Sequence, residues 1–211
     1  PEDRVWISGV FGFYAENDSW GVGAMQRSSF GGDKWRVTGA LFHSEMNYKY
    51  YGIGGDGSDR YITLDQDMDL FMAEGLRRVI PSFYVGLKGV YAKTEVGPRI
   101  NEDVLPPWVD PERLKADLTL ASLSPRVQYD TRDSEFYPRA GWLVDGTVFV
   151  SREAFGADVE YERYEANANY YFALNDHAVL ASRIASEYVT SDAPFFVYPA
   201  FGKKSDLRGY Q

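Results

Sequence analysis

Long runs of strict two-residue alternation constrain this chain more than any other feature. From Ile62 one set of positions reads Ile62, Leu64, Gln66, Met68, Leu70, Met72, and the interleaved set reads Thr63, Asp65, Asp67, Asp69, Phe71, Ala73. A helix would spread the three aspartates around its circumference. A strand puts them on one face and the aliphatics on the other. The split recurs along the chain. Trp35, Val37, Gly39 and Leu41 oppose Arg36 and Thr38, and Phe83, Val85, Leu87, Gly89 and Tyr91 oppose Tyr84, Gly86 and Lys88. Leu114, Ala116, Leu118 and Leu120 oppose Lys115, Asp117 and Thr119, and Trp142, Val144, Gly146, Val148 and Val150 oppose Asp145, Thr147 and Ser151. Tyr164, Ala166, Ala168, Tyr170 and Phe172 oppose Arg163, Glu165, Asn167 and Asn169, and Leu180, Ser182, Ile184 and Tyr188 oppose Arg183 and Glu187. With two glycine-rich strands near Val5–Tyr14 and Trp20–Ser28, the spacing predicts about nine strands, each antiparallel to the next. Between Ser122 and Tyr129 the alternation slips phase, which predicts a bulge.

The strands are long. Residues 61–77 and 158–173 run well past the usual ~5–6 residues. Long strands with aromatic ends suit a tilted membrane barrel with interfacial girdles. Trp35, Trp142, Tyr170 and Phe172 are girdle candidates, and each taken singly fits ordinary core packing equally well. Apart from a medium link over 130–139, the connections ahead of odd-numbered strands are tight, and longer loops are expected over 46–59 and 97–112. Outer-membrane barrels have short turns on the periplasmic side and longer loops outside. A chain entering from the periplasmic side at Pro1 ends its ninth strand outside, so 191–211 begins a long external loop. An odd number of strands leaves two open edges, and in a bilayer each unsatisfied backbone group costs several kcal/mol. The expected fold is therefore all-β: an antiparallel transmembrane β-barrel, incomplete over residues 1–211, which form its N-terminal and central part. More strands are needed for closure. The chain starts without Met or a signal peptide and reads as a mature or trimmed segment.

Composition excludes more than it selects. The chain has no cysteine, hence no thiolate metal site, disulfide or cysteine nucleophile. Its net charge of −9 argues against a nucleic-acid partner. Its 16 tyrosines and 20 glycines fit an outer-membrane barrel and a soluble all-β protein alike. No run of about 18 apolar residues marks a transmembrane helix, which leaves barrel strands untouched. His43-Ser44-Glu45 on a strand puts His43 and Glu45 on one face and Ser44 on the other, poor geometry for a catalytic triad. Asp65-x-Asp67-x-Asp69 lacks the glycine and distal glutamate of a calcium loop. Gly52, Gly54 and Gly55 follow no βαβ pattern that would make a nucleotide site. No metal, no cofactor and no enzymatic activity are expected.

Three stretches carry a family resemblance. Leu207-Arg208-Gly209-Tyr210 resembles the [VIL]-R-G-[FY] signature in the long external loop of the BamA/TamA-like superfamily, the bacterial surface antigens. Ser124-Pro-Arg-Val-Gln-Tyr-Asp-Thr-Arg-Asp133, then Pro138 and Gly141, resembles that family's strand–turn–strand element. Asn47-Tyr-Lys-Tyr-Tyr-Gly-Ile-Gly54 is similar to a segment near the start of many such barrels. The stretches occur in the family's order and span nearly the whole chain. The resemblance implies a Gram-negative outer-membrane barrel, often of sixteen strands, that inserts or translocates other barrel proteins through a weak lateral seam and local membrane thinning. It implies outer-membrane lipid or lipopolysaccharide and unfolded outer-membrane protein clients as partners. It makes Arg208 the anchor of a loop folded back into the lumen, Gly209 its close-approach position and Tyr210 its packing residue. Asp65, Asp67, Asp69, Glu165 and Glu187 are the candidate lumen acids. Asp130, Arg132 and Asp133 read on their own as a charged turn that caps backbone groups and pairs locally, with Pro138 and Gly141 as turn punctuation. Nothing ahead of the first strand resembles the assembly factors' periplasmic repeats. A passive cation-favouring channel, the barrel anchor of an N-terminal enzyme or passenger domain, and a soluble β-sandwich stand as alternatives.

Overall fold

A computed structural model describes residues 3–50, 62–98, 115–190 and 193. Nine strands form in it: β1 (Ile7–Tyr14), β2 (Trp20–Phe30), β3 (Trp35–Tyr50), β4 (Ile62–Ile80), β5 (Phe83–Pro98), β6 (Ala116–Asp130), β7 (Gly141–Ser151), β8 (Tyr161–Asn175) and β9 (Ala178–Val189). Each pairs antiparallel with its neighbour in one sheet of order β1 to β9. Among the described residues β1 and β9 do not meet, so the sheet is curved and open. Among the described residues the one helical element is a single 3-10 turn at Glu153–Phe155, and no described helix is long and apolar enough to cross a membrane.

The tight β2–β3, β4–β5 and β8–β9 connections lie at one end of the sheet, called here the turn end, and the short β1–β2 turn lies at the other. Gly31, Gly32 and Asp33 between β2 and β3, and Ser82 between β4 and β5, take the positive φ that such reversals require. At the opposite, loop end β3 continues to Tyr50, past the expected loop start at residue 46. Met46 to Tyr50 keep alternating, and glycine appears only from Gly52.

The faces follow from register. Arg36 on β3 reaches Gln128 and Asp130 on β6, across β4 and β5, which only side chains on the concave face can do. From Arg36 the ladder assigns the even positions of β3–β6 to the concave face and the odd ones to the convex face, up to the irregularity after Arg78. On β7 and β8 the concave positions include Asp145 and Glu165, and the convex ones Trp142 and Tyr170.

Toward the turn end the convex face is apolar and open. Val37, Leu41, Phe71, Leu87 and Val127 are 45–57% exposed. The concave face there buries polar and charged groups, Arg36, Gln128 and Asp130 among them. A soluble sandwich would bury the first set and expose the second. A single-layer sheet arranged this way needs an apolar medium outside it. Trp35, Trp142, Tyr170 and Phe172 all lie on the convex face near the turn end. Arg77 lies 5.3 Å over the Trp35 ring, and the Trp142 and Tyr170 rings are 4.3 Å apart.

Toward the loop end the pattern reverses. Convex positions become His43 and Glu45 on β3, Asp69, Asp67 and Asp65 on β4, Lys93 and Glu95 on β5, and Asp117 on β6. Concave positions become Phe42, Met46 and Tyr48, then Leu70, Met68 and Leu64, then Val90, Ala92 and Val96, then Leu120 and Leu118. Four neighbouring strands thus exchange their apolar face part-way along their length. This explains the phase slip between Ser122 and Tyr129, and the bulge expected there is absent. Leu123 sits opposite Val150 and Arg126 opposite Thr147 in one unbroken register, with only Ser124 and Pro125 unpaired. Pro125 has no N–H to give the ladder. Register irregularities occur instead at Arg78/Ile80 and Ala173/Asn175, both beside turns.

Candidate functional site

The densest polar constellation lies on the concave face at the turn end. It begins with Asp33, presented by the tight β2–β3 turn. Its carboxylate accepts from Arg36 Nε (2.8 Å) and Nη2 (2.7 Å) and from the Tyr84 hydroxyl (2.6 Å), and Arg4 Nε lies 3.3 Å away. Burial alone would raise the Asp33 carboxyl. The hydrogen bonds from Arg36 and Tyr84, with the charges of Arg36 and Arg4, hold it at about 2 instead. The Arg36 guanidinium stacks 3.7 Å over the Tyr84 ring, and its Nη1 donates to Gln128 and lies 3.5 Å from Asp130. Gly86, next on the concave face of β5, lets the β4 backbone come close, since a Cβ there would sit 1.9 Å from the Gly75 carbonyl oxygen.

The β6–β7 link, residues 131–140, folds into this constellation. Asp130 takes Arg4 Nη2 at 2.9 Å and Arg132 Nε at 3.0 Å, and its side chain is 1% exposed. Arg132 Nη1 donates to the Glu135 carbonyl at 3.1 Å. The Glu135 carboxylate pairs with Arg27 on β2 and lies 3.6 Å from Arg4. The link therefore straps β6–β7 to the base of β1–β2 across the concave face. Asp133 shapes it: its carboxylate accepts from the Arg139 and Ala140 N–H groups at 2.9 and 3.2 Å, which lowers its pKa. Pro138 lies half-buried in the link. Gly141 closes it at φ 104°, where a Cβ would meet the Thr131 carbonyl oxygen at 2.3 Å. Asp130 and Arg132 do pair locally, but Asp130 also bonds far outside the turn.

Further from the turn end, Arg126 pairs with Glu74 and, at 2.7 Å, with Asp145, which also accepts from Gln128 Nε2 at 2.8 Å. Glu165 and Glu187 face each other on β8 and β9, both on the concave face. Both pair with Arg163, Glu187 at 3.3 Å. Arg27, Arg36, Glu74, Arg126, Glu135 and Asp145 bound a hollow of about 510 Å³.

Asp65, Asp67 and Asp69 are not part of it. They lie on the convex face, opposite Asn47, Glu45 and His43 of β3. The expectation that they share a face with Glu165 and Glu187 assumed that each strand keeps its polar face on one side throughout, and the exchange of faces breaks that assumption. Arg208, Gly209 and Tyr210 lie outside the described residues, as does the 51–54 part of the Asn47–Gly54 segment. His43 and Glu45 share the convex face, with His43 Nδ1 2.8 Å from Asp69, while Ser44 is buried on the concave one. Among the described residues no group of three potential metal ligands converges.

Sequence reasoning singled out Asp130 and Arg132 but not their distant partners Arg4, Asp33, Arg36, Tyr84, Gln128 and Glu135. One signal was present: Arg36 stands on a strand whose other face is Trp35, Val37 and Leu41. A charge opposite an apolar lipid-type face must find partners inside.

Comparison with known proteins agrees with this architecture. Residues 21–211 match the model of the family described as the Omp85 superfamily domain. No individually curated protein matches the sequence. Eight chains of solved structures match the fold. One is the crystal structure of BamA from Haemophilus ducreyi lacking POTRA domains 1–3, with a TM-score of 0.50 and 13% identity over 90% of this chain and 43% of that one. The chain thus spans under half the length of that protein's resolved chain.

Proposed function

The chain belongs to the Omp85 superfamily, and from that premise we propose that it forms the N-terminal and central part of a Gram-negative outer-membrane barrel that inserts or translocates other outer-membrane proteins. Its clients are unfolded outer-membrane proteins, and its convex face meets outer-membrane lipid. On this reading 191–211 begins the external loop, and Arg208-Gly209-Tyr210 anchors it in the lumen. Glu165 and Glu187 already face Arg163, so the Arg208 partner belongs elsewhere on the wall.

One observation carries the insertion reading. The convex apolar band fails toward β1. On β7 every outward position from Trp142 to Val150 is apolar or glycine. On β2 the outward positions include Ser28 and Gln26, and on β1 Ser8 lies beside Gln26. β1 has 8 residues against 16 in β3. A bilayer meeting this edge finds a short wall with a polar patch at Ser8, Gln26 and Ser28 and must thin or pack poorly there, which lowers the barrier for a client strand to pair there. The complete protein in liposomes, assayed for client folding, tests this. Ser8→Leu, Gln26→Leu and Ser28→Leu together should slow client folding while the barrel itself remains folded. An unchanged rate would count against the seam.

The charged concave face favours a second reading, a passive channel. The strap over 131–140 opposes it by crossing the face that would have to conduct. Large steady cation-selective currents in planar bilayers would restore it.

A further inference from the structure

The exchange of faces on β3–β6 has a consequence for where the membrane lies, given the barrel reading above. Two transverse rows cross the convex face at right angles to the strands. The first is His43, Asp69 and Lys93. The second, two residues nearer the loop end, is Glu45, Asp67, Glu95 and Asp117, one carboxylate on each of four adjacent strands. Below the rows the convex face is apolar. On β5 it runs through Phe83, Val85, Leu87, Gly89 and Tyr91.

We propose that the outer-leaflet hydrocarbon ends below the His43–Asp69–Lys93 row, and that the loop-end part of β3–β6 stands in water as an extracellular wall. Along each strand the mixed-charge position lies at the headgroups, and the acidic position lies further out.

Length supports this level. The ten steps from Phe83 to Lys93 rise about 33 Å along the strand. At a tilt near 40° that is about 25 Å along the membrane normal, the usual height of a barrel's apolar band. A bilayer covering the acidic row as well would enclose four neighbouring carboxylates about 5 Å apart, offset only in part by Lys115, 2.8 Å from Glu95. Each would cost free energy alone, and together they would repel one another in a medium that screens nothing. Anionic lipid phosphates would repel them too. The concave face gives the complementary sign. At this height it carries no charge and becomes largely apolar, with Phe42, Met68, Leu70 and Ala92 beside the small uncharged Ser44 and Thr94, and Ala92 only 4% exposed. Charged outside and apolar inside is the arrangement of a protein wall in water. From Asp69 to Ile62, β4 alone rises about another 23 Å along the strand.

The absence of cysteine from these residues makes the level measurable. Single cysteines at Phe71, Ala73 and Val148, and at Asp67, Glu95 and Asp117, would carry nitroxide labels in the complete protein reconstituted into liposomes, any cysteine elsewhere having been replaced. Accessibility is read as the ratio of oxygen to a water-soluble nickel chelate, on protein shown to be folded by heat-modifiable gel mobility. The expected result is a reversal: oxygen dominates at 71, 73 and 148, the chelate at 67, 95 and 117. Oxygen dominance at 67 and 95 overturns the proposal and leaves the barrel reading standing. Chelate dominance at all six positions overturns both. Unmodified protein gives a second measurement, free of any folding defect. Carbodiimide coupling of an amine, read by mass spectrometry, should modify Asp67, Glu95 and Asp117 in liposomes, and their protection overturns the proposal.

Discussion

The turn half and the loop half of this sheet are made from the same strands in the same register, yet they are opposites. Near the turns, charge is inside and hydrocarbon side chains are outside. Near the loops, carboxylates are outside and Phe42, Met68, Leu70 and Leu120 are inside. Alternation fixes only that a segment is a strand with two unlike faces. Which face is apolar reports the medium, and the medium changes part-way up. The two halves should therefore answer differently to the same kind of substitution.

The largest difference concerns buried charge. Arg36 is 3% exposed and holds both Asp33 and Asp130. Arg36→Leu leaves those carboxylates in the turn half short of their cation, and breaking a buried pair in this way costs about 3–5 kcal/mol. Urea unfolding in detergent micelles should show a fall in unfolding free energy of that order. Asp67→Asn in the loop half should leave the unfolding free energy within about 0.5 kcal/mol of the parent. Equal effects would erase the distinction between the halves.

The contrast also explains what the sequence made legible. Strand number, order and antiparallel pairing followed from alternation and turn residues alone. The girdle candidates Trp35, Trp142, Tyr170 and Phe172 fell on one face near one end, because period two and strand length together determine both. Two features were not legible. Asp65, Asp67 and Asp69 look like lumen acids because a strand was assumed to have one wet face, and only pairing with β3 and β5 reveals that the wet face switches sides. The partners of Asp130 lie at Arg4 and Arg36, 126 and 94 residues away in sequence, and curvature rather than spacing brings them together. The local half of that site, Asp130 with Arg132, was readable because a turn makes its own contacts.

Next in size is the test of the medium itself. Ala73→Lys on the convex face of the turn half should cost about 2–4 kcal/mol if hydrocarbon lies there. Asp67→Lys, six residues along the same face of the same strand, should cost about 1 kcal/mol or less. The pair is informative as a difference, and equal costs would mean that both positions meet the same solvent.

Acid should act on the turn half through Asp33. Its carboxyl is held at about 2 against an ordinary 3.8, a depressed value. Its contribution is therefore complete above about pH 4 and is lost as pH falls toward 2, on the order of 2 kcal/mol in all. Asp33→Asn should flatten that part of the stability–pH profile. A profile that keeps its full acid limb in the variant would assign the limb to other carboxylates.

The smallest expected effect asks how the strap serves the β1 edge. Glu135 joins the β6–β7 link to Arg27 and Arg4, and the two arginine side chains are 31% and 21% exposed. Water reaches these pairs, so Glu135→Gln should cost only about 1 kcal/mol of global stability. Its consequence should be local instead. Without the strap the base of β1 keeps the β2 ladder, Arg4 on Asp33 and Asp130, and the contacts of Arg4 and Trp6 with Ser29, but loses its tie to the β6–β7 link through Glu135, and edge strands open first. Amide hydrogen exchange over Ile7–Tyr14 should accelerate in Glu135→Gln while exchange over β4 and β5 stays as in the parent. Glu135→Asp, which keeps the charge, should recover part of the protection. Unchanged exchange in β1 would mean that the strap packs the turn end without governing the edge, and that the polar convex face of β1–β2 alone distinguishes it.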